Sequence, residues 1–201
     1  MNGIDVSHNN GLINWELIKQ NKTKIDFVFI KATEGVGYID SSLKYNAENA
    51  VKNGFKIGYY HFATLNRLDV VQDATDEANA FLNSIKDLPK NDLPLVLDIE
   101  RNTKGIIITK DKFLVWINTF FQVLNQAGKE YALYSGKYYL DVNLPDKHNL
   151  GGVKLWLAQY TIDVTLPKGW ADYWVWQYNS NGTINGIKGN VDVNKTKLNI
   201  V

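Results

Sequence analysis

Short apolar runs rich in β-branched and aromatic residues alternate along the first two thirds of the chain with longer segments whose apolar positions recur at helical spacing. The runs are GIDVS (3–7), FVFIKAT (27–33), KIGYYHFA (56–63), PLVLDIE (94–100) and YALYSG (131–136). Between them, 12–21 reads as a short helix. Residues 41–53 read as a longer one, with Ser41 as N-cap, Leu43, Ala47, Ala50 and Val51 at helical spacing, and Gly54 as the stop. Residues 70–85 repeat the pattern through Ala74, Ala78, Phe81 and Leu82, and 111–127 carries a strongly apolar face that ends at Gly128. This alternation predicts parallel βαβ units.

After residue 150 the pattern changes. VKLWLAQY (153–160), YWVWQYN (173–179) and GIKGNVDVN (186–194) read as strands, and the Gly-, Pro- and Asp-rich connections are too short for full crossover helices. About eight strands in 201 residues predict an α/β fold, one domain over 1–201: a TIM-like barrel whose late helices are lost or shortened. A doubly wound open sheet is the competing architecture. It would place a Gly-rich phosphate loop after the first strand, and GIDVSHNNG has no GxGxxG spacing.

The working surface of a parallel barrel is the C-terminal rim of its strands, and polar residues gather at those predicted ends. Asp5 ends the first strand, Lys31 and Glu34 the second, Tyr60 and His61 the third, Asp98 and Glu100 the fourth, Tyr134 and Ser135 the fifth. Gln159 and Gln177 follow, and Asp192 falls in the last strand. Asp98 and Glu100 are two apart, so strand periodicity puts both on one face while Leu97 and Ile99 turn towards the helices. Their Cα atoms lie roughly 6.6 Å apart at the usual strand rise. Two charges that close in a half-buried site push one pKa up, leaving one carboxyl protonated as a general acid and the other ionised. Taken singly, each acid is better read as a solvated strand end or the partner of a lysine such as Lys31. Two acids on one face, joined by Asp5 and Asp192, favour a catalytic mouth. A carboxylate cluster for magnesium or calcium is the other chemical option.

Composition narrows the field. Of 6 Trp and 11 Tyr, many crowd the late strands: Trp156, Tyr160, Trp170, Tyr173, Trp174, Trp176 and Tyr178. Aromatic faces above a polar cleft suit sugar rings, although strand alternation turns about half of them towards the core. Trp156 and Tyr60 are expected at the rim. The absence of cysteine excludes disulfides and thiolate sites, and His8, His61 and His148 have no ligand spacing, so neither metal nor cofactor is expected. A net charge of +1 gives no reason to expect nucleic acid, and no run reaches the roughly 18 apolar residues of a membrane helix. MNGIDVS has neither a basic n-region nor a long apolar stretch, so no signal peptide is expected.

GIDVSHNNG with INW, FVFIKATEG, GYYHFA, LPLVLDIE, YALYSG, LWLAQY and WVWQYNSNGTINGIKGNVDVN resemble, in order and across essentially the whole chain, the segments of family 25 glycoside hydrolases, the Chalaropsis-type muramidases. The resemblance implies a modified (β/α)5β3 barrel and hydrolysis of the β-1,4 bond between N-acetylmuramic acid and N-acetylglucosamine in peptidoglycan. It implies Glu100 as general acid, Asp98 as its partner, Asp5 and Asp192 as further acids of the mouth, and Tyr60 as the tyrosine of the YHF segment. Lys31, Tyr134, Trp156 and Gln177 complete the expected substrate-binding set. HNN departs from the family's frequent glutamine, here represented by Asn9 or Asn10.

Three mechanisms stay open. Attack by Asp98 with retention uses carboxyl groups about 5 to 5.5 Å apart, and inversion wants roughly 6.5 to 9.5 Å. The substrate's own 2-acetamido oxygen offers the third and preferred route, in which Glu100 protonates the leaving oxygen while ionised Asp98 steadies the acetamido group. A carbohydrate-binding barrel without catalysis, and a hydrolase of another N-acetyl-hexosamine polymer such as chitin, are the competing functions. The resemblance implies a monomer that reaches the bacterial wall after release from the cytoplasm, as a phage lysin does, or a secreted form trimmed of its signal.

Overall fold

The computed structural model describes residues 1–100 and 106–197. Among them, nine strands make one sheet: β1 (Asn2–Val6), β2 (Phe27–Glu34), β3 (Tyr38–Ile39), β4 (Lys56–Phe62), β5 (Leu95–Asp98), β6 (Tyr131–Gly136), β7 (Lys154–Ala158), β8 (Val175–Gly182) and β9 (Val191–Lys195). The sheet runs β1-β9-β8-β7-β6-β5-β4-β2-β3, and pairing of β1 with β2 closes eight of the strands into a barrel. Strand β3 is a two-residue arm folded back on β2. Every pairing in the ring is parallel except those of β9, which runs antiparallel to both β8 and β1.

Helices α1 (Trp15–Lys19), α2 (Leu43–Lys52), α3 (Val70–Ile85), α4 (Lys110–Gln126) and α5 (Lys137–Asn143) follow β1, β3, β4, β5 and β6. No described helix follows β7 or β8, so the expected barrel with reduced late helices is the observed one. The expected helix over 12–21 shrinks to five residues because Asn14 caps it, accepting the Leu17 N–H at 3.2 Å. The strand expected over 94–100 pairs regularly only to Asp98.

Strand periodicity separates two apolar layers. Val28, Ile30, Leu95, Leu97, Leu133, Leu155 and Leu157 face outward into the main core, against Ala78 and Phe81 of α3 and Trp116 and Phe120 of α4. Phe27, Phe29, Val96, Ala132, Trp156 and Trp174 face inward. The barrel is narrow enough that two neighbours of these rings must be glycine. A Cβ on Gly3 would stand 2.2 Å from the Phe27 ring, and one on Gly58 2.6 Å from the Phe29 ring. Phe29 stacks on Trp156 with centroids 4.3 Å apart. These rings plug the barrel, so inward-facing residues nearer the strand ends form the floor and walls of an open mouth.

Candidate active site

Register brings the predicted residues together. Asp5 lies opposite Asp192, Lys31 opposite Tyr60, Asp98 opposite Tyr134, and Tyr134 opposite Trp156. All nine expected site residues line one cavity of about 290 Å³, together with Ser7, His8, Asn9, Glu34 and Phe62. Asp192 reaches it from the beginning of β9, because that strand runs the other way; it is not a C-terminal strand end. Phe62, His8 and Ser7 were not anticipated, and of the two residues standing for the family's glutamine it is Asn9 that lines the cavity. Phe62 carried a usable signal, being two residues from Tyr60 on the same strand face.

Two expected placements need correction. Trp156 is not an exposed rim platform: it is 2% exposed and forms the floor, edge-on to Tyr134 with centroids 4.6 Å apart. His61 faces outward from the barrel and is fully buried between Thr33 Oγ1 and Glu77 Oε2, each 2.8 Å from a ring nitrogen. Glu77 also accepts the Thr64 N–H and O–H, fastening the segment after β4 to α3. A register shift between Lys31 and Thr33 lets Lys31 point into the mouth while Thr33 meets His61 outside it.

Asp5 sits at the centre of a locked network. Its Oδ2 accepts N–H groups from Gln177 at 3.0 Å and Asn194 at 2.7 Å. Gln177 Oε1 in turn accepts the hydroxyls of Tyr134 at 2.9 Å and Tyr160 at 2.6 Å, and Asn194 Oδ1 accepts the Trp156 N–H at 2.7 Å. Burial pushes the Asp5 carboxyl up to about 7, the charge of Asp192 adds to the rise, and the two amides oppose it. Burial also raises Asp192, partly offset by a hydrogen bond with Asp5.

Asp98 is 5% exposed, and its Oδ1 has no hydrogen-bond partner. Burial drives its pKa well above the carboxylate range, the charge of Glu100 drives it further, and Lys31 pulls it back. Glu100, beyond the strand end, is exposed on the same cavity wall. Burial and the neighbouring Glu100 thus favour the protonated form of Asp98 in the ligand-free protein. Burial keeps the hydroxyls of Tyr60 and Tyr134 neutral as well.

Lys31 is tied to Glu34 at 2.7 Å, with its ammonium 4.9 Å from the Phe62 ring centroid and 5.9 Å from that of Tyr38. Beside it, His8 Nδ1 lies 2.7 Å from Asp40 Oδ2, which fixes the imidazole at the cavity edge. Among the described residues, no three His, Asp or Glu side chains are grouped to hold a metal ion, and no helix is long and apolar enough to cross a membrane.

Comparison with known proteins agrees with this geometry. Residues 4–187 match the model of the glycosyl hydrolases family 25. The chain is 31% identical to Lysozyme M1 of Streptomyces globisporus, covering 96% of this chain and 66% of the relative. It is 32% identical to the autolytic lysozyme of Clostridium acetobutylicum, covering 97% and 55% respectively. It thus spans somewhat under two thirds of the length of these two relatives. The crystal structure of the bacterial lysozyme from Streptomyces coelicolor superimposes with a TM-score of 0.87 at 30% identity, covering 98% of this chain and 92% of that one. A closed barrel, its carboxylate-lined mouth and the match over 4–187 lead to one assignment: the chain belongs to the glycosyl hydrolases family 25.

Proposed function

We propose that the chain is an N-acetylmuramidase, a lysozyme that hydrolyses the β-1,4 bond between N-acetylmuramic acid and N-acetylglucosamine in bacterial peptidoglycan, acting on the wall as a monomer. The observation that carries the mechanism is Asp98: a buried carboxyl with an oxygen lacking a partner, two residues from an exposed carboxyl on the same wall. Family membership and relatives named as lysozymes support the activity.

The chemistry follows from moving one proton. Burial favours it on Asp98 in the free site. A muramic acid ring in the mouth presents its acetamido N–H to Oδ1 of Asp98, supplying the missing donor. Hydrogen bonding to the charged form favours it, so the proton passes to Glu100. Glu100 protonates the leaving glycosidic oxygen as the acetamido oxygen attacks the anomeric carbon, and ionised Asp98 steadies the positive oxazolinium. Water, giving its proton to Glu100, then opens that ring with net retention. The neutral hydroxyls of Tyr60 and Tyr134 serve as polar contacts for the sugar, and Asp5, Asp192 and Gln177 hold the opposite wall.

The test separates hydrolysis from mere binding. Glu100→Gln is expected to bind insoluble peptidoglycan like the wild type while releasing reducing ends about 10² to 10⁴ times more slowly, the usual contribution of a general acid. Wild-type binding without release of reducing ends would support a carbohydrate-binding barrel, and release from chitin but not peptidoglycan a different substrate.

A further inference from the structure

The net charge of +1 conceals a separation of charge along the barrel axis. Segments 20–26, 52–56, 86–94, 127–130, 154, 172–174 and 195–197 lie at the end of the barrel opposite the mouth, and together they carry ten lysines against five Asp and Glu residues and no arginine. Among the described residues, the cavity at the other end is lined by five carboxylates against Lys31 and His8.

The basic end has a shape as well as a charge. Two hollows of about 670 and 450 Å³ share Lys90, Asn91 and Lys129, and so form one trough beneath the entry to β4, β5, β6 and β7. Lys86, Lys90 and Lys129 are exposed, and none has a carboxylate partner among the described residues. Lys154 closes one side, paired with Glu130 at 2.9 Å. Of the other nearby acids, Asp87 and Asp92 are both exposed, and one oxygen of Asp92 is occupied in accepting the Ile57 N–H at 3.0 Å.

Three ammonium groups outside any ion pair among the described residues, along a trough, suit a chain of regularly spaced single negative charges. Lysine binds such charges without the bidentate geometry that arginine brings to base edges and planar anions. Tyr59 is the aromatic residue in the trough lining, and at 1% exposure it offers no face on which nucleobases can stack. We propose that this lysine-lined trough is a second binding surface, for a phosphodiester-linked polyol phosphate polymer of the cell wall. A polymer held there leaves the mouth, at the far end of the barrel, open to glycan. The choice of a wall polymer rests on the muramidase reading; the anion site itself rests on the charge and shape of this end.

The test uses purified poly(glycerol phosphate) and, as the alternative phosphodiester, duplex DNA of matched charge. Affinity is measured at about 50 and 200 mM salt for the wild type and for the triple variant Lys86→Glu, Lys90→Glu, Lys129→Glu, with circular dichroism to verify folding. Wild-type protein is expected to bind the polyol phosphate with affinity that falls steeply with salt. The variant should bind at least tenfold more weakly, with a salt slope smaller by roughly 2, yet hydrolyse polyanion-free peptidoglycan at the wild-type rate. No wild-type binding, equal binding by the variant, or a parallel loss of hydrolysis overturns the inference. Tighter binding of DNA overturns the choice of ligand. Binding as described by a wild type that hydrolyses no peptidoglycan would remove the muramidase reading and leave the anion site standing.

Discussion

Trp156 donates its indole N–H to Oδ1 of Asn194 at 2.7 Å, and that bond fixes which end of the Asn194 amide faces Asp5. An indole nitrogen only donates, so Oδ1 is the end of the Asn194 amide that faces Trp156, and the amide nitrogen must face Asp5. Asp5 Oδ2 is thereby an acceptor.

Removing that donor should be costly. Trp156→Phe keeps most of the ring against Phe29 but leaves the fully buried Asn194 Oδ1 unpaired. A buried acceptor without its partner costs about 1 to 3 kcal/mol. Urea denaturation should show a loss of that size, and an unchanged midpoint would contradict the role given to this bond.

Asp5 itself opposes stability near neutral pH. Its folded pKa is about 7 against an ordinary 3.8, so as pH rises between those values the unfolded chain loses the proton while the native state keeps it. Wild-type stability from this group is therefore fully present below pH 4 and falls until about pH 7, by an upper bound of roughly 4 kcal/mol. Asp5→Asn escapes the loss and keeps an oxygen for the two amide donors. Melting curves should show it more stable than wild type at pH 7, with the advantage vanishing towards pH 4. A variant that is less stable at pH 7 would refute the assignment.

How far the sequence alone leads depends on the kind of order involved. Asp5, Tyr60, Asp98, Tyr134 and Gln177 were legible because each lies at the end of an apolar run and strand periodicity sets its direction. The same rule, carried two residues on from Asp192, finds Asn194, and from Tyr60 finds Phe62. Strand β3 has two exposed residues and α5 buries only Leu140, so neither leaves an apolar pattern to read. The raised pKa of Asp98 was hidden for another reason: spacing tells that two acids are neighbours, but only depth tells which of them loses its water.

Close packing inside the barrel gives a sharper test of the fold. Gly58→Ala places a methyl 2.6 Å from a Phe29 ring that is already stacked on Trp156, so overpacking should cost about 1 to 3 kcal/mol and disturb the cavity floor. Gly152→Ala, with nothing within 4 Å of the new methyl, is the control and should leave stability unchanged. Equal melting temperatures for the two variants would contradict the packing described.

Assistance by the acetamido group makes a demand on the substrate. An oligosaccharide with hydroxyl in place of the 2-acetamido group lacks both the internal nucleophile and the N–H that moves the proton from Asp98. Its turnover should fall by at least about 10²-fold. Turnover at the normal rate would instead favour direct attack by Asp98.

The central claim is the identity of the bond that is cut. Purified protein is incubated with peptidoglycan, the new reducing ends are reduced with borohydride, and the resulting sugar alcohols are identified after acid hydrolysis. Muramitol is expected from the wild type, with a strongly diminished yield from Glu100→Gln. Glucosaminitol in its place, or no sugar alcohol above background, would contradict it.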